Sequence, residues 1–403
     1  MMAERRTLLP VLSFIAGNIL FGTGLIFHAF LYNFYLEALH LSPAVMGHAA
    51  AALTGGGLVM LLPAGAFTDR AGPRVAVTTA AVVLAVGLAL GAVAATPLAV
   101  YGAAAVAGAG SGIWRVAMAP ILMRLTEDRT RARAFAWNVG LLVAWGGLGT
   151  AIAGATSQGL EVHWGLNRLQ AVRAVLVLGA IGSAASVLVF RVLQVPSERA
   201  PIGAPAAAPE AKRQSATYAM LPLVGLVAVW MVGPALAAPF FNIFFAREYG
   251  LSIERIGFVF AAAGVCWTLA VFASGELASR VGVRRVLAAS LLLFAPAMWG
   301  LSVATTVELA VVLYFLQGLI APVTNPLIDQ WLLGQTPLER QGVVSSWRQV
   351  AADASAMVGA SFGGTLLAGA AFHPLFALAS AVGLLGALGL LAGVRRHPGA
   401  PHP

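Results

Sequence analysis

The chain has 403 residues, of which 60% are hydrophobic and only 10% charged, with a mean hydropathy of +0.87. Those values exclude an ordinary soluble globular protein and indicate a membrane protein. The formal charge of +9 raises the question of nucleic acid, but the basic residues are distributed over helix ends along the whole chain, which argues against that partner.

A helix needs about 20 apolar residues to cross a hydrocarbon layer roughly 30 Å thick, and twelve such stretches follow one another. In the first half they cover residues 8–36, 43–68, 74–95, 97–124, 134–158 and 172–192. In the second half they cover residues 218–246, 253–278, 286–305, 307–334, 342–368 and 372–394. The runs are continuous over whole spans, which favours helices over the shorter, alternating strands of a barrel. The first run has no convincing signal-cleavage site and reads as a retained first helix.

Helix 1 carries Asn18, His28, Tyr32 and Asn33. At 100° per residue Asn18 and the Tyr32–Asn33 pair share a face, with His28 to one side. Between helices 2 and 3 the apolar tract is interrupted by Gly65, Asp69, Arg70, Gly72 and Arg74. Glycines let a tight loop and a neighbouring helix approach closely, and Asp and Arg can pair across helix ends. Helix 4 holds Trp114 and Arg115, the latter roughly 13 Å from the helix end at Arg124. An arginine at that depth costs on the order of 3 kcal/mol, so it faces a wet cavity or has a partner. Helix 5 is glycine-rich, with Gly140, Gly146, Gly147, Gly149 and Gly154 and no proline.

Residues 195–217 are Pro/Ala-rich and charged, with no apolar period, and read as a linker. In the second half the single cysteine, Cys266, falls in helix 8 and excludes an intramolecular disulfide. Helix 10 carries Gln317, Asn325 and Asp329, the last two one turn apart on one face. Helix 11 offers Gln349 and Asp353 at i, i+4, preceded by Arg348. Helices 3 and 12, by contrast, contain no charge and no amide. Nineteen of the 24 basic residues fall at one set of alternate helix ends. The positive-inside rule then puts both termini and the linker in the cytoplasm.

Sliding the chain by 210 residues aligns it with itself: Phe30 meets Phe240, Phe34 meets Phe244, Gly47 meets Gly257 and Gly65 meets Gly275. Further along, Arg70 meets Arg280, Gly72 meets Gly282, Arg74 meets Arg284, Gly108 meets Gly318 and Trp137 meets Trp347. One offset across five helices makes each half a six-helix repeat of the same orientation, residues 1–194 and 218–403, joined by the linker.

The repeated loop motif, the twelve spans and the long central loop together resemble the major facilitator superfamily, over essentially the whole chain. The resemblance implies an all-α integral membrane protein with twelve transmembrane helices in two pseudo-twofold-related six-helix bundles. It further implies a secondary active transporter working by alternating access, with helices 1, 4, 7 and 10 lining a central cavity and helices 3, 6, 9 and 12 facing lipid. Asp69, with Arg70 and Arg74 on a loop shaped by Gly65 and Gly72, is implied to latch the two halves on the cytoplasmic side. Arg280 belongs to a weaker second copy in which Ser279 replaces the acid. The plainer alternative is that these arginines only fix topology.

Within that frame Arg115 is either a contact for an anionic or polar substrate group, with Asn18, Tyr32, Asn33, Gln317 and Asn325 as neighbours, or one partner of an internal ion pair. Asp353 is the first candidate for proton coupling, because low dielectric favours a neutral carboxyl that can exchange a proton as a cavity opens and closes. Asp329 is the second, its other reading being a gate pair with Arg348. Glu37 and His28 follow on the outer side. Trp114, Trp137, Trp145, Trp230, Trp267 and Trp331 shape either an apolar binding surface or helix packing.

The superfamily's drug–proton antiporters usually carry an arginine in helix 4 before a Gln-Gly and a Gly-Pro motif in helix 5; here Ala104 precedes Gly108 and helix 5 lacks proline. The scarcity of polar groups in the spans still points first to proton-coupled efflux of small amphipathic compounds. Uptake of a small organic anion through Arg115 is the alternative, and a non-transporting receptor or sensor a distant one. The seven histidines lack the spacing of a metalloenzyme and there is no Walker A loop, which argues against an enzyme or a nucleotide-driven pump. The expected protein is therefore a monomer of the cell membrane with no cofactor or metal, whose partners are a small-molecule substrate, protons and the bilayer.

Overall fold

The structure, a computed structural model, describes residues 2–195, 210–336 and 340–396; residues 196–209, most of the expected linker, lie outside these. The described residues form thirteen α-helices, one short 3-10 turn and loops, with no strand among them. In chain order the first half contains α1 (Met2–Ala38), α2 (Pro43–Ala71), α3 (Pro73–Val93), α4 (Pro97–Leu125), α5 (Asp128–Trp164) and α6 (Arg168–Val192). The second contains α7 (Glu210–Ala237), α8 (Phe241–Tyr249), α9 (Ile253–Val281), α10 (Val283–Val303), α11 (Val307–Gly334), α12 (Gln341–Gly369) and α13 (Phe372–Arg396). Twelve helical segments are long and apolar enough to cross a membrane, α7 and α8 together supplying the seventh.

Prolines start several helices. Pro43, Pro73 and Pro97 occupy the first helical positions of α2, α3 and α4, where a missing N–H costs nothing and the fixed φ is already helical. Inside the seventh span the same residue acts as a breaker. Pro239 sits in the 3-10 turn Ala238–Phe240 and removes one donor from the ladder, so α7 and α8 are separate helices. α7 begins at Glu210, within the segment read as linker; its Glu-Ala-Lys-Arg-Gln start is polar but consists of good helix formers. Likewise α5 outruns its apolar core at both ends. It stops at Gly165 (φ 66°), whose N–H bonds the Leu160 carbonyl. Asn167 and Gln170 then form a reciprocal capping box that starts α6.

The loop motif has a backbone cause. Gly72 joins α2 to α3 at φ 86°, and Gly282 joins α9 to α10 at φ 96°. Both lie in a region open essentially to glycine alone, which allows one helix to end and the next to begin at the following residue.

The chain divides into two compact units, Met1–Pro201 with Asn242–Gly264, and Ile202–Phe241 with Val265–Pro403. In the first, α1 packs on α5 and α6, α2 and α3 pack on α4, and α3 also meets α6. In the second, α7 packs on α12 and α13, and α10 on α11 and α13. Apart from α2 on α4, these are the same pairings one repeat later. One close helix approach recurs too: a Cβ on Gly24 would stand 2.8 Å from the Gly179 carbonyl oxygen, and one on Gly233 would stand 2.8 Å from the Gly383 Cα. Small residues at such crossings let backbones come together where lipid gives no hydrophobic drive. On α3 the alanine side is buried, at Ala76, Ala80 and Ala81, while Val82, Val86 and Leu90 are exposed, as befits a helix with one face towards hydrocarbon.

Gly72 has no heavy atom within 4 Å of an added Cβ, so a substitution there meets only the backbone constraint. Gly72→Val is expected to cost about 1–3 kcal/mol, seen as a lower thermal midpoint of the detergent-solubilised protein. An unchanged midpoint would mean that the loop does not hold the glycine in its positive-φ conformation.

Candidate functional site

In the first unit Asn18 is fully buried in α1 and both ends of its amide are used. Its Nδ2 donates to Asn138 Oδ1 on α5 at 2.7 Å, and its Oδ1 accepts from Trp114 Nε1 on α4 at 2.9 Å. Trp114 stacks on Phe21, with ring centroids 5.3 Å apart. The arrangement pins α1, α4 and α5 together at one depth. Asn138 is a residue that sequence reasoning passes over, since a lone amide on a helix does not show its partner. One turn further along α1, Trp145 Nε1 donates to Thr23 Oγ1 at 3.0 Å, a second tie between α1 and α5.

Arg115 follows Trp114 directly and is half-buried, roughly 15 Å from the end of α4 at Leu125. Its guanidinium lies over α2 at Gly57, where an added Cβ would stand 2.8 Å from Nη2. The residue one repeat later than Gly57 is Trp267. In the second unit Trp267 covers Gly318, the mate of Gly108, and its Nε1 donates to the Phe315 carbonyl at 3.2 Å. The two halves thus fill corresponding places differently, with a cation in one and an indole in the other.

Tyr32 is buried between rings, stacked on His28 at 4.0 Å and Tyr35 at 5.7 Å. Its hydroxyl has no hydrogen-bond partner among the described residues, and it lies beside Gly91 of α3. Tyr35 instead donates to the Ala94 carbonyl at 3.0 Å. Asn33 takes a different direction: its Nδ2 donates to Asn242 Oδ1 at 3.1 Å, and Asn242 Nδ2 donates to the Phe30 carbonyl at 2.7 Å.

That amide pair belongs to a larger clasp inside the first unit, where the end of the seventh span and the start of the eighth pack on α1 and α5. Arg247 Nε donates to Glu37 Oε1 at 2.6 Å, and Arg168 Nη2 stands 3.8 Å from Glu37 Oε2. Phe30 meets Phe260 edge-on at 5.6 Å, and a Cβ on Gly257 would come within 3.5 Å of the Gly154 Cα. Glu37 and Arg247 are 210 residues apart, the repeat offset itself. A signal for this contact is therefore present in the sequence: the same position is an acid in one repeat and a base in the other.

In the second unit Asp329 on α11 is paired with Arg348 on α12 through Oδ1 and Nε. Gln349 Nε2 donates to Asp353 Oδ1 at 3.2 Å, and Asp353 is buried. Asn325 and Gln317 on α11 are half-buried; the Asn325 Oδ1 has no hydrogen-bond partner among the described residues. Tyr314, also on α11, meets Trp267 at 5.5 Å and Phe241 at 4.8 Å. Of the other tryptophans, Trp230 is buried against Phe294, Trp331 is buried in α11, and Trp137 is exposed beneath the Arg133 guanidinium at 4.7 Å.

At the loop motif, Asp69 and Arg70 are exposed. Arg74 Nη2 donates to the Arg191 backbone carbonyl, tying the start of α3 to the end of α6. Gly65 is half-buried with open space over its Cα. In the second copy Arg280 pairs with Glu276 one turn back on α9, at 2.7 Å. The described residues contain no cluster of three or more metal-ligating side chains.

A family model described as Major Facilitator Superfamily matches residues 12–238 and again residues 223–403. By sequence, no curated protein matches the chain. Among solved structures, a variant of the nucleoside transporter NupG superposes with a TM-score of 0.77 at 13% identity, covering 95% of this chain and 99% of its own. A bacterial homolog of the human lysosomal transporter Spinster, in an inward-facing and occupied conformation, gives 0.72 at 16%, covering 97% and 94%. A D-xylose–proton symporter gives 0.73 at 13%, covering 94% and 96%. At these identities the likeness is one of fold.

The buried amide pair provides a direct check on the first-unit geometry. Asn18→Leu or Asn138→Leu alone leaves the other amide short of a partner, at a cost of about 1–3 kcal/mol. The double substitution is expected to cost less than the sum of the two by about 0.5–3 kcal/mol, measured by thermal or denaturant unfolding in detergent. Strictly additive losses would show that the two side chains are not coupled.

Proposed function

Since the chain belongs to the Major Facilitator Superfamily and is a secondary transporter with twelve membrane-length helices, we propose that it exports small amphipathic compounds by alternating access, coupled to protons. The moving bodies in this reading are the two six-helix repeats, residues 1–194 and 218–403, joined by the linker at 195–217. The chain lies in the cell membrane with both termini cytoplasmic, as the distribution of basic residues supports.

One observation carries the substrate class. The polar side chains of the spans are largely spent on each other, as in Asn18 with Asn138 and Trp114, Asp329 with Arg348, and Gln349 with Asp353. In this reading the second unit offers a solute the half-buried Trp267 indole and two half-buried amides, Gln317 and Asn325, and the first unit offers the half-buried Arg115. Pockets that are mostly apolar with few placed polar groups suit amphipathic molecules. A many-hydroxyl solute needs more partners than this. Asn33 and Tyr32 belong, in this reading, to the outer rim of the path.

A second reading has its own support. Gly57 leaves room for the Arg115 guanidinium beside α2, and an arginine near mid-depth is suited to an anionic group. On that basis uptake of a small organic anion is the alternative. One fold neighbour is named as a D-xylose–proton symporter, which is consistent with the proton coupling proposed here.

Asp353 is the assigned proton carrier. It is buried, it lies one turn from Gln349, and the amide can donate to the carboxylate when the proton leaves. Asp329 is second, held by Arg348. The clasp of Glu37, Arg247, Asn33 and Asn242 closes the path on the outer side, and release of the Asp69–Arg70–Arg74 loop opens it on the inner side.

In proteoliposomes, a panel of amphipathic cations and neutral compounds is expected to show flux that an imposed pH gradient drives. Asp353→Asn is expected to abolish the response to that gradient while leaving exchange of solute for solute. Accumulation that still follows the gradient in the variant would remove Asp353 from the coupling role. Flux of organic anions alone, lost in Arg115→Gln, would select the second reading.

A further inference from the structure

Outside the polar cluster, the second unit carries an apolar groove of about 280 Å³ between α9, α10 and α11. Its walls include Leu277 on α9, Ala289 and Leu293 on α10, and Leu319 and Ile320 on α11. Leu277 and Leu293 are about half exposed, so in a bilayer the groove opens to acyl chains. The two repeats differ here. Where the first unit has Gly110, which brings α3 to within contact of α4, the second has Ile320; where it has Gly57 between α2 and α4, the second has Trp267. Bulk thus stands at both places where the first unit has glycine.

The groove lining is apolar, and two arginines stand beside it with their charged heads outside. Arg285, in the first turn of α10, is a wall residue and exposed, and Arg284 beside it is exposed as well. Neither makes an ion pair among the described residues, and the first turn of α10 holds no acid. The neighbouring Arg280 already has a partner in Glu276. In the first repeat Arg74, the mate of Arg284, is bonded to a backbone carbonyl, and the mate of Arg285 is Val75. The two uncompensated arginines at an apolar slot are therefore particular to the second half.

We propose that this groove holds one anionic phospholipid of the cytoplasmic leaflet, its acyl chain along Ala289, Leu293 and Ile320 and its phosphate against Arg284 and Arg285. The cavity is smaller than the roughly 300–1,000 Å³ that encloses a drug-sized ligand, and its wall is apolar, which suits a single alkyl chain whose anionic head lies outside the groove against the arginines. Cationic side chains at a helix end facing the cytoplasm attract anionic lipid. The occupant sits on the helix pair that flanks the Arg280–Gly282–Arg284 loop, outside the solute path.

The test is native mass spectrometry of the full chain released from micelles holding equal phosphatidylglycerol and phosphatidylcholine. The wild type is expected to keep one phosphatidylglycerol in preference to phosphatidylcholine by about fivefold or more. The exposed pair Arg284→Gln with Arg285→Gln should bring that ratio close to one, while Ala289→Trp, which fills the slot without changing charge, should lose the retained lipid of either kind. Arg70→Gln, at an exposed arginine of the first unit, should leave the preference unchanged. Equal retention of the two lipids by the wild type, a preference that survives the arginine substitutions, retention unaffected by Ala289→Trp, or an equal loss from Arg70→Gln would each overturn the assignment.

Discussion

Hydrocarbon offers no hydrogen bonds, so a polar group placed inside a membrane span needs a partner within the protein or a water-filled cavity to face. That constraint organises this chain from its backbone outwards. Continuous helices satisfy the main chain. Hydroxyls turn back to their own helix, as Thr54, Thr68 and Thr150 do on the carbonyl four residues earlier. Amides and indoles reach across to neighbours, as Asn18 does to Asn138 and Trp114. Ser183 on α6 donates to the Phe21 carbonyl on α1 at 2.8 Å, and Ser380 on α13 to the Ala295 carbonyl on α10 at 2.7 Å. Polarity in a span thus marks helix-to-helix fixings as often as it marks a solute path.

The same rule explains what can be read without coordinates. Run length and interruption by charge give all twelve spans, and the 210-residue offset leads to the two loop glycines whose positive φ joins consecutive helices. The break after α7 is not visible in hydropathy, because Pro239 and its neighbours are as apolar as the rest of the span. The matching crossings at Gly24–Gly179 and Gly233–Gly383 escape a constant offset, since the last helix of the repeat is shifted to 204 residues. At the site, residue type indicates which side chains need partners but not which partners they have. Asp329 and Arg348 are legible as opposite charges at similar depth; Asn138 and Asn242 are not, because an amide pairs equally well with another amide, an indole or a carbonyl.

A transporter adds a second demand, that some of these satisfied contacts be exchangeable. The Asn18–Asn138 pair is fully enclosed, and opening it would strand two amides in an apolar surround. The clasp is different in kind. Glu37 and Arg247 keep 25% and 37% of their side-chain surface exposed, so water can replace each partner, and a pair so exposed is worth at most about 1 kcal/mol. Weak, wettable contacts at the rim around a small aromatic and glycine seam suit a joint that opens many times. The Asn33–Asn242 amide pair is the enclosed part of the clasp.

The central claim, that the clasp must part for solute to cross, can be tested by bridging it. Glu37→Cys and Arg247→Cys, introduced together in a Cys266→Ser background, place one thiol on each side of the joint, to be linked by a short, reducible bis-methanethiosulfonate. The account predicts that solute flux in proteoliposomes stops on linking and returns on reduction, with either single cysteine unaffected by the reagent. Flux at the unlinked rate from fully bridged protein would contradict it.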